Sequence, residues 1–377
     1  KPSDQLQLQG GWGAGQLVGS IGIQFNNFSL DKINNFDAWR PLPAGDGQKL
    51  SLRAYSNGPR YSSLNFSFTE PWFGGKKPNS LTVGAYYSVQ ARGGFGSSNR
   101  RSLEIIGANI GLGKRLQFPD NYFTLKNTLE FQQYRLNDYR ALPLDFNNGT
   151  SYTFSLKHKI SRNSVNKRIY PTSGSEFSFS LKYTPPISSF TSTDYGEVSA
   201  QRRYKWIEFH RWKFKSSYFL NLGGDLVLNP RANFGYLGFF NDEIGVTPFE
   251  RFFVGGDGLQ GFRLDGRELI RLRGYEQNAL SPEEGGNTFT KLTMELRYPV
   301  IQKRSATIYF LGFLEGGNSW LGIDQFNPSD IHRSAGGGVR VFLPMFGLLG
   351  VDWGYGFDSE NLPGNPGQIH ISIGQRF

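Results

Sequence analysis

Apolar side chains recur at every second residue along almost the whole of this chain. Residues 61–69 read Tyr-Ser-Ser-Leu-Asn-Phe-Ser-Phe-Thr, with Leu64, Phe66 and Phe68 on one face and Ser63, Asn65 and Ser67 on the other. Residues 175–183 set Phe177, Phe179, Leu181 and Tyr183 against Glu176, Ser178, Ser180 and Lys182, and residues 81–89 follow the same rule. Successive side chains of a strand point to opposite faces, so period two means strand. Segments of this kind lie near 5–13, 16–28, 47–57, 60–70, 79–91, 99–114, 120–136, 150–161, 174–184, 211–223, 226–239, 288–298, 305–317, 333–342, 347–357 and 368–377. That makes about sixteen strands, an even number, as antiparallel membrane barrels of bacteria have. The connections alternate too. One set is mostly short (117–121, 223–225, 299–304, 343–346), and the other holds the insertions 137–149, 185–210, 240–287, 318–332 and 358–367. Short turns on one rim and long loops on the other belong to that architecture.

A large soluble β-sandwich or propeller would also alternate, with its apolar faces inward. Scale argues against it. So many strands enclose a lumen too wide for side chains to fill, which puts polar residues inside and apolar ones outside. The composition agrees: 15% aromatic but only 38% hydrophobic, in a chain of 377 residues with 48 glycines. A mean hydropathy of −0.43, with no apolar run of about 18 residues, excludes membrane-spanning helices. Length alone would allow two or three soluble domains, but no linker divides the strand pattern, so residues 1–377 read as one transmembrane β-barrel domain. Residues 29–46 and 197–209 carry patterns compatible with short helices, the first amphipathic and placed at the membrane interface.

Chemistry is sparse. There is no cysteine, and four histidines form no H-x-x-x-H pair, so neither a thiolate centre nor a zinc hydrolase is expected. Gly256-Asp257-Gly258-Leu259-Gln260-Gly261 spells G-x-G-x-x-G, yet it lacks the strand-to-helix setting of a dinucleotide site. No nucleophile elbow or Walker loop occurs. We therefore expect no enzyme, no cofactor and no metal. The net charge of +10 comes from scattered residues rather than a basic stripe, which gives no case for nucleic acid.

The informative segment is the loop 240–287, since a loop this long on a barrel is usually functional or folded into the lumen. It contains Leu272-Arg273-Gly274-Tyr275. Arg273 would need an anionic partner if withdrawn from water, and strand parity nominates two. Glu295 lies on the face opposite Leu292, Met294 and Leu296, and Glu315 sits in the otherwise apolar run 310–317. Spacing alone leaves a solvated Arg273 equally open.

Leu-Arg-Gly-Tyr in the sixth long-rim loop resembles the [V/I/L]-R-G-[F/Y] signature of the Omp85 superfamily, which includes the BamA-type outer-membrane assembly factors. The flanking Phe249-Glu250-Arg251-Phe252-Phe253-Val254-Gly255-Gly256 and Asn278-Ala279-Leu280-Ser281-Pro282 are similar to that family as well. So is Tyr170-Pro171-Thr172-Ser173-Gly174, which matches its F-P-x-x-G segment before the ninth strand. The terminus Ile371-Ser372-Ile373-Gly374-Gln375-Arg376-Phe377 resembles the final-strand signal, with aromatic Phe377 last and Gln375 departing from a commonly apolar position. The resemblance implies that the Arg of this loop, here Arg273 beside Gly274 and Tyr275, pairs inside the lumen with Glu295 and Glu315. It implies a lateral gate between the first strand (Leu6, Leu8, Gly10, Gly11, Gly13) and the last (Ile369, Ile371, Ile373, Gly374). Glycines weaken strand pairing and lower the cost of parting such a seam. The implied function is an insertase for β-barrel proteins in the outer membrane of a Gram-negative bacterium. Its expected partners are outer-membrane lipids, unfolded barrel substrates, accessory lipoproteins and periplasmic chaperones. N-terminal POTRA repeats would be absent from this portion. A two-partner secretion transporter or a translocation-and-assembly module would share the loop motif. A porin or a surface-adhesion barrel stands as the alternative from other classes.

Overall fold

A computed structural model describes residues 5–13, 16–39, 42–93, 100–140, 146–256, 266–303, 305–343, 347–360, 362, 364 and 366–373, with side chains from residue 21 onward except Asn57 and Ile373. The strands are β1 (Gln5–Gly13), β2 (Gln16–Phe28), β3 (Gln48–Asn57), β4 (Tyr61–Glu70), β5 (Ser80–Arg92), β6 (Arg101–Arg115), β7 (Phe123–Asn137), β8 (Gly149–Asn163) and β9 (Gly174–Tyr183). They continue with β10 (His210–Gly223), β11 (Leu226–Gly238), β12 (Phe252–Val254), β13 (Glu268–Ile270), β14 (Thr288–Gln302), β15 (Thr307–Trp320), β16 (His332–Leu343), β17 (Gly347–Gly356) and β18 (Gly367–Ile373). Sixteen of them form one sheet in which each pairs antiparallel with its neighbours in chain order, skipping only β12 and β13. Those two are a parallel pair inside the longest loop, a piece of structure the alternation did not announce.

The sheet curls around that loop. Side chains or backbone of residues 249–275 meet inner-face groups of β7, β9, β10, β14, β15, β17 and β18. The outer face is the apolar one, with Leu64, Phe66, Leu292, Met294, Leu296, Phe310 and Leu314 all exposed. The inner parity carries Ser151, Thr153, Ser155, Lys291, Thr293, Glu295 and Arg297, all buried. This is the arrangement of a transmembrane β-barrel. The lumen is not uniformly polar, however. Under the long loop, Leu103, Ile105, Tyr134 and Leu136 of the wall pack with Phe249, Phe252, Val254 and Leu272 of the loop. A second buried group joins Tyr170, Phe219, Val227 and the β15 residues Tyr309, Leu311 and Phe313. Folding the loop inward lets part of the wall be apolar, because protein rather than water faces it.

Two helix expectations shrink. Among the described residues of 29–46 only a 3-10 turn at Phe36–Ala38, capped by Asn35, replaces the expected amphipathic helix, because the Ser29, Leu30 and Gly45 amides are committed to Pro43, Gln48 and Asn27 across the segment. In 197–209 only Ala200–Arg203 is helical. The connection 164–173, long for its rim, brings Tyr170 inward, where its hydroxyl donates to the carbonyls of Asp225 (2.9 Å) and Arg297 (3.0 Å). Gly223 and Gly224 both take positive φ, which permits the tight turn before β11.

Candidate functional site

The chain enters the lumen through β12 and β13, and the Leu272 amide then donates to the Gly256 carbonyl, delivering the next residue to the wall. That residue is Arg273, fully buried. Its backbone amide donates to Glu315 Oε2 (2.9 Å), its Nη2 to Glu315 Oε1 (2.8 Å) and Glu295 Oε2 (3.2 Å), and its Nη1 to Asp352 Oδ2 (3.3 Å). The guanidinium also lies 3.5 Å above the Phe313 ring. Glu295 and Glu315 are thus both within reach of Arg273, as strand parity suggested. Nearby carboxylates, Glu315 foremost, outweigh the cost of burial and raise the Arg273 pKa above its ordinary value.

Asp352 is a third partner that sequence reading missed. It stands in β17 with the parity opposite to the exposed Val351, Trp353 and Tyr355, a signal that was available but sits among glycines. The wall supplies further cations. Arg231 and Arg297 bind Glu295 (2.9 and 2.6 Å), Lys291 binds Glu315 (3.0 Å), and Arg340 forms a bidentate pair with Asp352 (2.7 Å each). Five cations including Arg273 against three acids give 5 − 3 = +2. Charges so buried persist only when paired and hydrogen-bonded.

Gly274 follows in the left-handed region (φ 87°). A Cβ there would meet Ser334 and the Tyr355 backbone at 2.9 Å, so glycine permits the loop to lie against β16 and β17. Its amide donates to His370 Nε2 on β18 (2.8 Å). The Tyr275 hydroxyl donates to the Arg333 carbonyl (2.6 Å), and burial pushes its pKa up to about 12, so it remains a donor.

A second ionic centre, whose Glu250 lies in the family-like run 249–256 but whose wall partners no motif marked, fastens the earlier part of the loop. Glu250 binds Lys182 of β9 (2.7 Å) and Arg211 of β10, and Glu268 binds Arg211 (3.2 Å) and Lys213. Glu130 of β7 completes the set through Lys182 (3.0 Å) and the Tyr86 hydroxyl (3.0 Å). Burial would raise both loop carboxyls, but Arg211 and Lys182 draw Glu250 down to about 2, and Lys213 and Arg211 do the same for Glu268. A cavity of about 260 Å³ remains beside this cluster. Among the described residues no group of acids and histidines is disposed to hold a metal ion. Of the G-x-G-x-x-G run only Gly256 lies within the described residues.

At the two edges of the sheet, β1 pairs with β2 and β18 with β17. Leu6, Leu8, Gly10, Gly11 and Gly13 face Ile23, Ile21, Gly19, Val18 and Gln16 across that ladder. Ile369, Ile371 and Ile373 face Trp353, Val351 and Leu349, and Ile369 and Ile371 are exposed. Among the described residues no backbone ladder joins β1 to β18. Gly374 and Phe377 lie outside the described residues.

No curated protein matches the chain. Among solved structures, its fold is similar to BamA from Haemophilus ducreyi lacking POTRA domains 1–3, at 18% identity and a TM-score of 0.68, covering 98% of this chain and 70% of that one. It is also similar to CdiB from Escherichia coli (12% identity, TM-score 0.55, covering 98% and 67%) and CdiB from Acinetobacter baumannii (14%, 0.51, 98% and 58%). The model of the Omp85 superfamily domain matches residues 44–377. With that match spanning nearly all of a curled sixteen-stranded sheet, the chain belongs to the Omp85 superfamily.

Proposed function

We propose that this barrel is an insertase of the Gram-negative outer membrane, folding β-barrel substrates at the seam between β1 and β18. The observation that carries this reading is the pair of sheet edges without a mutual ladder among the described residues. An edge strand offers a row of free backbone donors and acceptors, which templates an incoming strand. In hydrocarbon each unsatisfied backbone group costs several kcal/mol, so the pull toward a new strand is far stronger than in water. The glycines of β1 keep its own pairing weak. Strand addition and burial of apolar faces in lipid then drive insertion. No bond is made or cut, so the activity is not enzymatic. Lipoproteins and chaperones on the short-turn side would deliver substrate.

A secretion transporter of the same superfamily would instead pass its cargo through the lumen. The packing of the long loop argues for the seam, since the loop and the wall strands β6 and β7 bury an apolar group inside the lumen. The test is a disulfide across the seam. In Leu8→Cys/Ile371→Cys, oxidation should join the strands and stop insertion of an unfolded barrel into liposomes, and reductant should restore it. Cross-linked protein inserting at an unchanged rate would overturn the proposal. A cross-linked protein that still exports a soluble partner would establish the transporter.

A further inference from the structure

Part of the chain's positive charge, scattered in sequence, is brought together on the barrel wall. On the inner faces of β7 to β10, cationic residues stand directly opposite one another across the ladders. Lys157 faces Lys182, and Lys182 faces Arg211. Lys126 faces Lys159, and Lys213 and Lys215 follow Arg211 at the same parity. Directly opposed residues sit roughly 5 Å apart, and like charges there are unfavourable. In the upper part of this wall the repulsion is relieved by Glu250 and Glu268, both on the long loop, and by Glu130. Lower down no direct ion pair relieves it, and Glu268 reaches Lys215 only as a more distant charge. Lys126, Lys159 and Lys215 lie nearer the short-turn rim than Glu130, Lys157 and Lys213 of the same strands, are exposed, and make no ion pair with a carboxylate among the described residues. Lys157, half-buried at the edge of the cavity that Glu130 and Glu250 also line, makes no direct ion pair either.

We infer that Lys126, Lys157, Lys159 and Lys215 form a lumenal binding wall for an acidic, extended polypeptide segment entering from the short-turn rim. The molecule itself supplies the precedent. The row above is neutralised mainly by carboxylates carried on a chain segment, whereas the cations of the lower row have no paired carboxylate, and Glu176 of β9, at the same parity below Ser178, accepts a hydrogen bond from Asn163 (2.8 Å). The lysines are spread over β7, β8 and β10, with Ser178 and Ser180 of β9 between them. Lysine is a mobile point charge without the fork that fixes a single phosphate, so a spread of lysines suits a series of side-chain carboxylates better than one compact anion. The upper end is already occupied by the loop, which leaves the short-turn side as the way in. This inference does not depend on the seam and stands or falls separately from the insertase reading.

The test uses the whole chain in detergent micelles and a fluorescent twelve-residue peptide alternating Glu and Ser, with a Gln-Ser peptide of equal length as control. Anisotropy should show binding of the acidic peptide alone, weakening steeply with added salt. The Lys126→Gln/Lys159→Gln/Lys215→Gln variant should lose roughly tenfold or more in Kd, and the corresponding triple Arg variant should keep most of the affinity. In planar bilayers the acidic peptide should block current when added on the short-turn side only. Equal binding of the Gln-Ser peptide, or an unchanged Kd in a folded triple Gln variant, would overturn the inference. So would complete displacement by inorganic phosphate at matched ionic strength, which would make the wall a small-anion site. Heat-modified electrophoretic mobility reports whether each variant is folded. If the triple Gln variant is not, the single Lys215→Gln variant, at an exposed position, carries the same test with a smaller loss.

Discussion

The two ends of the long loop are fastened with opposite charges. At its far end the loop contributes one guanidinium to a wall that presents three acids, Glu295, Glu315 and Asp352. At its near end it contributes two carboxylates, Glu250 and Glu268, to a wall presenting Lys182, Arg211 and Lys213. A loop docked the other way round would oppose like charges at both places. The polarity therefore fixes orientation, which apolar packing by itself does poorly. The two fastenings also differ in how they can be undone. The guanidinium stays charged at any pH a protein survives, whereas carboxylates can be neutralised.

The largest effect is expected at the far end. Arg273→Ala removes the cation common to all three acids, and breaking a buried pair from one side costs about 3–5 kcal/mol. Denaturant unfolding followed by tryptophan fluorescence should register a loss of that size. Arg273→Lys should recover only part of it, because one ammonium cannot serve three carboxylates with a fixed fork. Arg231, Arg297 and Arg340 remain as neighbours and set the floor of the loss. An Arg273→Ala protein as stable as the parent would mean that the apolar packing alone holds the loop.

Acid addresses the near end. Glu250 and Glu268 have their docked pKa at about 2, below the free value of 4.5, so their contribution is complete above about pH 4.5. It drains away as the pH falls from there through about 2. Amide exchange at Phe252–Val254 and Glu268–Ile270 should accelerate over this window. Glu250→Gln/Glu268→Gln should exchange faster already at neutral pH and respond less to acid. An identical acid profile in parent and double variant would detach the loop's docking from these carboxylates.

Much of this could be read from the chain and some could not, for physical reasons. Alternation located the wall strands because most of them exchange an apolar outer face for a polar inner one, with β15, whose Tyr309, Leu311 and Phe313 turn inward, as an exception. Parity nominated Glu295 and Glu315, since an acid breaking the pattern of its strand must look into the lumen. Asp352 obeys the same rule but has glycine and aromatic neighbours, where parity is harder to read. The Glu250 centre was illegible for a different reason. Its parts come from β7, β9, β10 and a loop, and no local spacing links Lys182 to Glu250 across 68 residues. The parallel pair β12–β13 consists of three-residue strands, too short for a period to show. The helical pattern of 29–46 lost to bonds that fold the segment back on itself and on β3, from Ser29 to Pro43 and from Leu30 to Gln48, which hydrophobic spacing ignores.

The smallest effect decides whether the two fastenings are separate at all. Tyr275→Phe keeps the ring against His332 and deletes only the hydroxyl, which donates to the Arg333 carbonyl at 2.6 Å and accepts a longer bond from the Asp358 amide at 3.4 Å. A loss of about 1 kcal/mol is expected for such a bond. Glu250→Gln, at the other end, forfeits charge-assisted contacts to Lys182 and Arg211 and should cost about 2 kcal/mol. The two sites share no partner, so independent fastenings predict that the double variant loses the sum, within about 0.5 kcal/mol. Arg273→Ala combined with Tyr275→Phe should instead fall short of the sum, because the two residues, on either side of Gly274, anchor the same stretch of backbone and the first loss already frees part of the second. If Tyr275→Phe and Glu250→Gln prove as strongly coupled as that pair, the loop docks as one rigid body. Its opposite charges would then be two faces of a single latch.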